Sequence, residues 1–266
     1  MIKKSDKITR FLIIFASFCL VAMTGYQVLI PFLEKQAVEP TPTTNEQPEN
    51  ENPLIINNQV EEKINNEEEK NQEIETTKDS FALKLPFISQ APYAVWDELH
   101  NEACEETSLI IVDAFLKNKT LSPQIVEEEI QNLVAWQIKN WGSHKDLTLR
   151  ELAEMTREYY GYQWARVVED ITIDDIKKEL SLGNPVILPL AGREIKNPYY
   201  RNPGPYYHML VVTGYDQNKF ITNDPGTKRG ENYTYNQDTL FAAIHDWPGQ
   251  GIDIDQGQKA MLIIEK

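Results

Sequence analysis

Residues Leu109 to Leu116 read LIIVDAFL, apolar on almost every side. A helix of that kind is buried all round, so other elements must close over it. It belongs to the stretch Asn101 to Lys119, NEACEETSLIIVDAFLKNK. Asn101 is placed to cap the helix. Glu105 and Glu106 fall in its first turn, where carboxylates suit the positive end of the helix dipole. Cys104 thereby stands at a helix N-terminus, whose unpaired N–H groups favour an anion, and a lowered thiol pKa is expected. A thiol in that place is either a reactive nucleophile or an ordinary buried cysteine.

The chain around this helix falls into three regions. The first, residues 1–35, carries an apolar run from Phe11 to Leu33 behind Lys3, Lys4, Lys7 and Arg10. That run is about as long as the roughly 20 residues a membrane-spanning helix requires. The flanking charges put the N-terminus in the cytoplasm and everything after Leu33 outside it. A cleaved signal peptide has a shorter apolar core ending in a small-x-small site. An uncleaved single-pass anchor is therefore expected. Cys19, with bulky Phe18 before it, reads as an apolar residue within that anchor.

The second region, residues 36–80, is rich in Glu, Asn, Pro and Thr. It buries too little apolar surface to offset its ordering entropy and reads as a disordered acidic tether. Val60, Ile64 and Ile74 are too few for a coiled-coil seam. The third, residues 81–266, holds all five tryptophans and is long enough for one substantial core. A net charge of −15 argues against nucleic acid as a partner. The chain has two cysteines, and one lies in the anchor, so Cys104 has no disulfide partner in the third region. A lone thiol outside the cytoplasm signals function or intermolecular pairing, and it excludes a multi-cysteine zinc site.

Within residues 81–266, helical signals come first. Ser122-Pro123 opens a second helix, Leu147–Tyr160 has helical periodicity up to Gly161, and Ile173–Leu182 closes at Gly183. Strand-like runs follow: NPVILPLAG, HMLVVTGYD and KFITNDPG. A helix around Thr239–His245 and a last strand, KAMLIIEK, complete an α+β plan with an antiparallel sheet.

His208 opens one strand and Asp224 closes the next. If Asp216-Gln217-Asn218 is a three-residue turn, Tyr215 faces Lys219 and His208 faces Gly226. Asp224 is then a diagonal neighbour of His208, with about 7–8 Å between backbones, while a one-residue slip puts the two on opposite faces. Where they meet, Asp224 holds one ring nitrogen and leaves the other for the Cys104 proton. Gln90, on the loop before the cysteine helix, is the candidate side-chain donor to an oxyanion.

The order Gln90, Cys104, His208, Asp224 resembles that of papain-like cysteine peptidases. More closely, the blocks PFISQAPYAVWDELHNEACEETS, GNPVILPLAG, HMLVVTGYD and FITNDPGTKRGENYTY look like the C39-like peptidase family. That family is related to the bacteriocin-processing C39 peptidases, which cut leader peptides after a double glycine. The resemblance implies a papain-like α+β fold, with the nucleophile helix packed on an antiparallel sheet. It also implies Cys104 as nucleophile, His208 as base and acid, Asp224 as orienting residue and Gln90 as oxyanion donor, with no metal or other cofactor. The spacing between Gln90 and Cys104 is wider than in papain, and no ATP-binding portion accompanies the domain, so double-glycine cleavage is not expected.

The expected function is hydrolysis of peptide or isopeptide bonds in a peptide, protein or cell-wall peptide, outside the membrane. A catalytically silent peptide- or wall-binding domain of the same fold is the alternative, and redox signalling through the thiol is a third. His245 reads as structural, His100 and His144 as surface residues, and Asp253-x-Asp255-x-Gly257 as a turn. Tyr199, Tyr200, Tyr206 and Tyr207 either line a substrate groove or pack over the sheet.

Overall fold

A computed structural model describes residues 79–265. The Phe11–Leu33 run and nearly all of the acidic tether lie outside those residues. Among the described residues, no helix is long and apolar enough to cross a membrane. The last tether residue, Ser80, already belongs to strand β1 (Ser80–Ala82).

The helices come first, as their periodicity predicts. A short α1 (Glu98–Asn101) leads into α2 (Cys104–Leu116), then α3 (Pro123–Trp141) and α4 (Leu149–Glu158). Ser122 caps α3 through its hydroxyl, and Gly142 ends it in the left-handed region at φ 80°. Thr148 and Glu151 form a capping box on α4. The cap expected of Asn101 is not there. Asn101 ends α1, and Ala103 precedes α2 without a side-chain hydrogen bond. From Cys104 through Ala114 every residue of α2 is buried, as its apolar sequence requires.

The sheet contains β2 (Ala165–Glu169), β3 (Val186–Ala191), β4 (Tyr207–Asp216), β5 (Lys219–Asn223), β6 (Tyr233–Asn236) and β7 (Ala260–Ile264). Its order is β2-β7-β3-β4-β5-β6, antiparallel throughout, with β1 on the far end of β4. Helix α5 (Ile173–Ser181) joins β2 to β3, and α6 (Gln237–Ala242) follows β6. Alternate strand residues feed two cores. Ile187, Met209, Val211 and Leu262 pack with α2, α3 and α4, while Val186, Leu188, Leu210, Val212 and Ile263 pack with α5 and α6. The sequence patterns of β2 and β6 are too short and mixed to stand out; both are edge strands.

The β4–β5 hairpin fixes the position of His208 by a route the turn chemistry does not reveal. The turn has two residues, not three: Asp216 pairs with Lys219, around Gln217 at φ 48°. That displaces the expected register by one residue. A bulge at Thr213 then displaces it back, so that Val212 pairs with Thr222 and Val211 with Asn223. Gly214 at the bulge lets β1 approach, since a Cβ there would sit 2.4 Å from the Phe81 carbonyl. Two departures cancel, and the His208 end of the hairpin has the expected register.

Candidate active site

Asp224 is held by both of its neighbouring strands and by a loop. Its backbone N–H donates to Gly230 O at 3.0 Å, and the side chain turns inward with 0 % exposure. Oδ1 accepts from His208 Nε2 at 2.9 Å and from the Gly226 backbone N–H at 3.0 Å. Oδ2 accepts from Asn197 Nδ2 at 3.0 Å and from the hydroxyls of Tyr200 and Tyr235, each at 2.6 Å. Burial pushes the carboxyl pKa up, but the His208 charge and these hydrogen bonds outweigh it and leave it below the ordinary value. Asp224 is thus an ionised group that holds Nε2 of His208 and leaves Nδ1 free of it.

Two glycines make room for the ring. A Cβ on Gly226 would lie 2.8 Å from His208 Cε1 and 3.2 Å from Asp224 Oδ1. One on Gly192 would meet Pro205 at 2.8 Å and His208 Cβ at 3.0 Å. Tyr200 stands edge-on to the imidazole with ring centroids 5.5 Å apart.

Cys104 begins α2, which packs against β4, the strand of His208. The backbone N–H of Met209, the residue after His208 on β4, acts in favour of the Cys104 thiolate form. The structure contains no hydrogen bond between Cys104 and His208. The thiol donates instead to Glu105 Oε2 at 3.0 Å. Burial and the Glu105 carboxyl push the thiol pKa well above its ordinary value. The lowered pKa expected from the helix terminus is therefore corrected. Helix-end N–H groups act on the thiolate, but burial and two adjacent buried acids act against it more strongly. Glu105 and Glu106 are themselves 2 % and 0 % exposed rather than solvated dipole partners.

Gln90 ties the two halves together. Its backbone N–H and the Ser89 hydroxyl both reach Pro225 O, next to Asp224. Its Nε2 donates to His100 O at 2.8 Å and to Asn101 O at 3.3 Å, just upstream of Cys104. The amide expected to face an oxyanion thus has both of its N–H bonds committed, and Oε1 is buried without a partner. His100 is not a surface residue. It is buried with Nδ1 2.7 Å from Asp97 and Nε2 2.8 Å from Glu127, which clamps α1 to α3. His245 bonds Gly257 O, consistent with a structural role.

His208 and Gln90 line a groove of about 930 Å³. Its lining includes the acids Glu102 and Asp146 and the bases Arg201, Lys228 and Arg229. The aromatic loop does both things its sequence allowed. All four tyrosines line the groove; Tyr199 and Tyr206 are exposed, whereas Tyr200 also reaches Asp224 and Tyr207 also bonds Leu147 O. Among the described residues, no group of three or more His, Cys, Asp or Glu is placed to hold a metal. Asn197, Tyr200 and Tyr235 are site residues that sequence patterning missed as partners of Asp224. Their only signal was polar or aromatic residues in turns and on a short edge strand.

The sequence profile of a family described as the Peptidase_C39 like family matches residues 82–251. The chain belongs to that family. In this C39-like domain the match spans Gln90, Cys104, His208 and Asp224 alike. Among solved structures the chain is similar to a Bacillus anthracis protein described as a C39-like peptidase. The two share 17 % identity with a TM-score of 0.46, over 71 % of this chain and 99 % of that one. No curated protein sequence matches the chain.

Proposed function

We propose that the domain is a cysteine peptidase that cuts peptide or isopeptide bonds through Cys104, His208 and Asp224. The observation that carries this reading is the buried His208–Asp224 pair at 2.9 Å on the groove, with the helix that Cys104 begins packed against the strand of His208. Membership of a peptidase-like family supports it. In the reaction, the thiol proton passes to His208 as Sγ bonds to the substrate carbonyl carbon. The carbonyl π pair moves to oxygen, then re-forms the double bond as the amine leaves with the proton from His208. Water, deprotonated by His208, releases the acyl group and restores the thiol. The Cys104 N–H at the start of α2 is the natural oxyanion donor, with Gln90 joining it only after releasing a carbonyl.

The groove suits a peptide with charged side chains, since its lining carries both acidic and basic residues. The Phe11–Leu33 run and the basic residues before it support placement of this domain outside the membrane, on a single cytoplasm-to-exterior anchor. A C-terminal tag that external protease removes from intact cells is the expected result; protection of the tag would contradict it. Digestion of a peptide library by the full chain tests the activity. Cleavage by wild type and none by Cys104→Ala is expected.

A second reading has one observation in its favour. Cys104 is buried, burial and Glu105 push its thiol pKa up, and it bonds Glu105 rather than His208. A silent domain that binds peptides in the same groove would retain binding and show no turnover in wild type and variant alike.

A further inference from the structure

Glu105 is a buried carboxyl that the reaction above leaves without a role. Its two oxygens face two different donors: Oε2 accepts from the Cys104 thiol at 3.0 Å, and Oε1 from the Leu147 backbone N–H at 3.3 Å. Glu105 is 2 % exposed and Cys104 5 %, so water does not screen them. No Lys or Arg side chain bonds to Glu105 among the described residues. The titratable groups around the pair are Glu106 in the same turn, Asp146 before α4, Glu102 before α2 and Tyr207 on β4. All are acids. Tyr207 in turn donates to Leu147 O and lies 3.4 Å from Asp246, another acid.

We propose that Glu105 is a positioning residue for the nucleophile: its carboxyl shares one proton with the Cys104 thiol, fixes Sγ, and sets how much of it is ready to react. The inference rests on Cys104 being the nucleophile of the proposed peptidase. Two anions 3 Å apart with no cation between them cannot both persist in a dry site, so the pair binds one proton between two groups. Burial and the neighbouring acids favour the same outcome, holding both groups above their ordinary pKa values. When His208 takes the proton, thiolate and carboxylate face each other, and their repulsion limits the thiolate population until substrate fills the groove. At rest the thiol is thereby kept protonated and slow to react.

The test is the pH dependence of Cys104 alkylation by iodoacetamide in the full chain, with Cys104 read apart from Cys19 by peptide mass spectrometry. Glu105→Gln keeps the size and removes the charge. Its profile should move down by at least about one pH unit, which is about tenfold more thiolate at a given pH below the midpoint. Glu106→Gln is the matched control, because that carboxyl bonds Gln137 rather than the thiol. Its profile should move by less than half as much. An unmoved Glu105→Gln profile, or an equal movement in the control, would overturn the proposal. If Glu105→Gln does not fold, side-chain carbon NMR of wild type decides. The Glu105 midpoint should rise when the thiol is capped with methyl methanethiosulfonate, because the carboxylate loses its donor, and a midpoint indifferent to capping refutes the shared proton. Alkylation reads the thiol and not turnover. Failure here leaves the peptidase standing, and failure to cleave peptides leaves this result standing.

Discussion

Asp224 and Glu106 are both completely buried acids in one domain, and the protein treats them in opposite ways. Asp224 accepts five hydrogen bonds, from His208, Gly226, Asn197, Tyr200 and Tyr235, and its pKa falls despite burial. Glu106 accepts one, from Gln137 Nε2, while its Oε2 and the Gln137 Oε1 have none. Burial pushes its pKa up to about 7. Desolvation acts on both; the His208 charge and the supply of donors decide which one keeps its charge. A protonated Glu106 also brings a donor into a pair in which two acceptor oxygens lack one.

The comparison breaks most violently at Asp224→Ala. That change strands His208 and three other side-chain donors in a dry site. We expect a loss of about 3–5 kcal/mol in urea unfolding, together with loss of peptide cleavage. A loss under about 1 kcal/mol would mean that the donors find other partners. The next effect is a pH dependence of opposite sign for the two acids. Glu106 binds its proton more tightly folded than unfolded, so its contribution is present below pH 4.5 and lost as pH rises towards about 7. Glu106→Gln, which carries a permanent donor, should abolish that loss, on the order of 3 kcal/mol. Thermal melts at pH 4.5 and 8 measure it, and an unchanged difference would contradict the assignment. Asp224 has a depressed pKa and contributes stability that is lost only as pH falls below its ordinary 3.8.

Tyr235→Phe removes one of the five donors and leaves four. Its cost should be about 1–2 kcal/mol, with the Asp224 pKa rising. Gly226→Ala sharpens the same picture from the side of space rather than charge. The added methyl meets His208 Cε1 and Asp224 Oδ1 without removing a donor. Stability should change by about 1 kcal/mol or less, whereas cleavage should fall at least about tenfold, since displacing a proton-transfer group by an ångström is costly. Wild-type cleavage rates in Gly226→Ala would show that the ring tolerates displacement.

How far the sequence anticipated these arrangements depends on the range of each signal. The all-round apolar run of α2, the Ser122-Pro123 helix start and the continuous apolar run of β4 are local patterns with one physical solution. The His208–Asp224 pairing was legible because strand period and turn length nearly determine it, although the two-residue turn and the Thr213 bulge were both missed and cancelled. The five-donor shell of Asp224 was not legible. Asn197, Tyr200 and Tyr235 come from separate loops and a short strand, and nothing in their neighbours marks where their polar atoms point. The acidity of Cys104 was misjudged for a related reason. The helix-end argument counts N–H groups that sequence position reveals, but the burial of Glu105 and Glu106 follows from packing of α2 against α3 and the Leu147 segment. His100 failed similarly, because its partner Glu127 lies on another helix.

The central claim is that Cys104 is a nucleophile served by the His208–Asp224 pair. Its most direct test is covalent labelling of the full chain with a peptide epoxide, an electrophile that requires an activated thiol in a peptide-binding groove. Cys104 labelling by the peptide epoxide, faster than by the same epoxide without its peptide and reduced at least about a hundredfold in His208→Ala, is the predicted result. Labelling that is indifferent to both the peptide and His208 would contradict the account and leave a groove that binds without cutting.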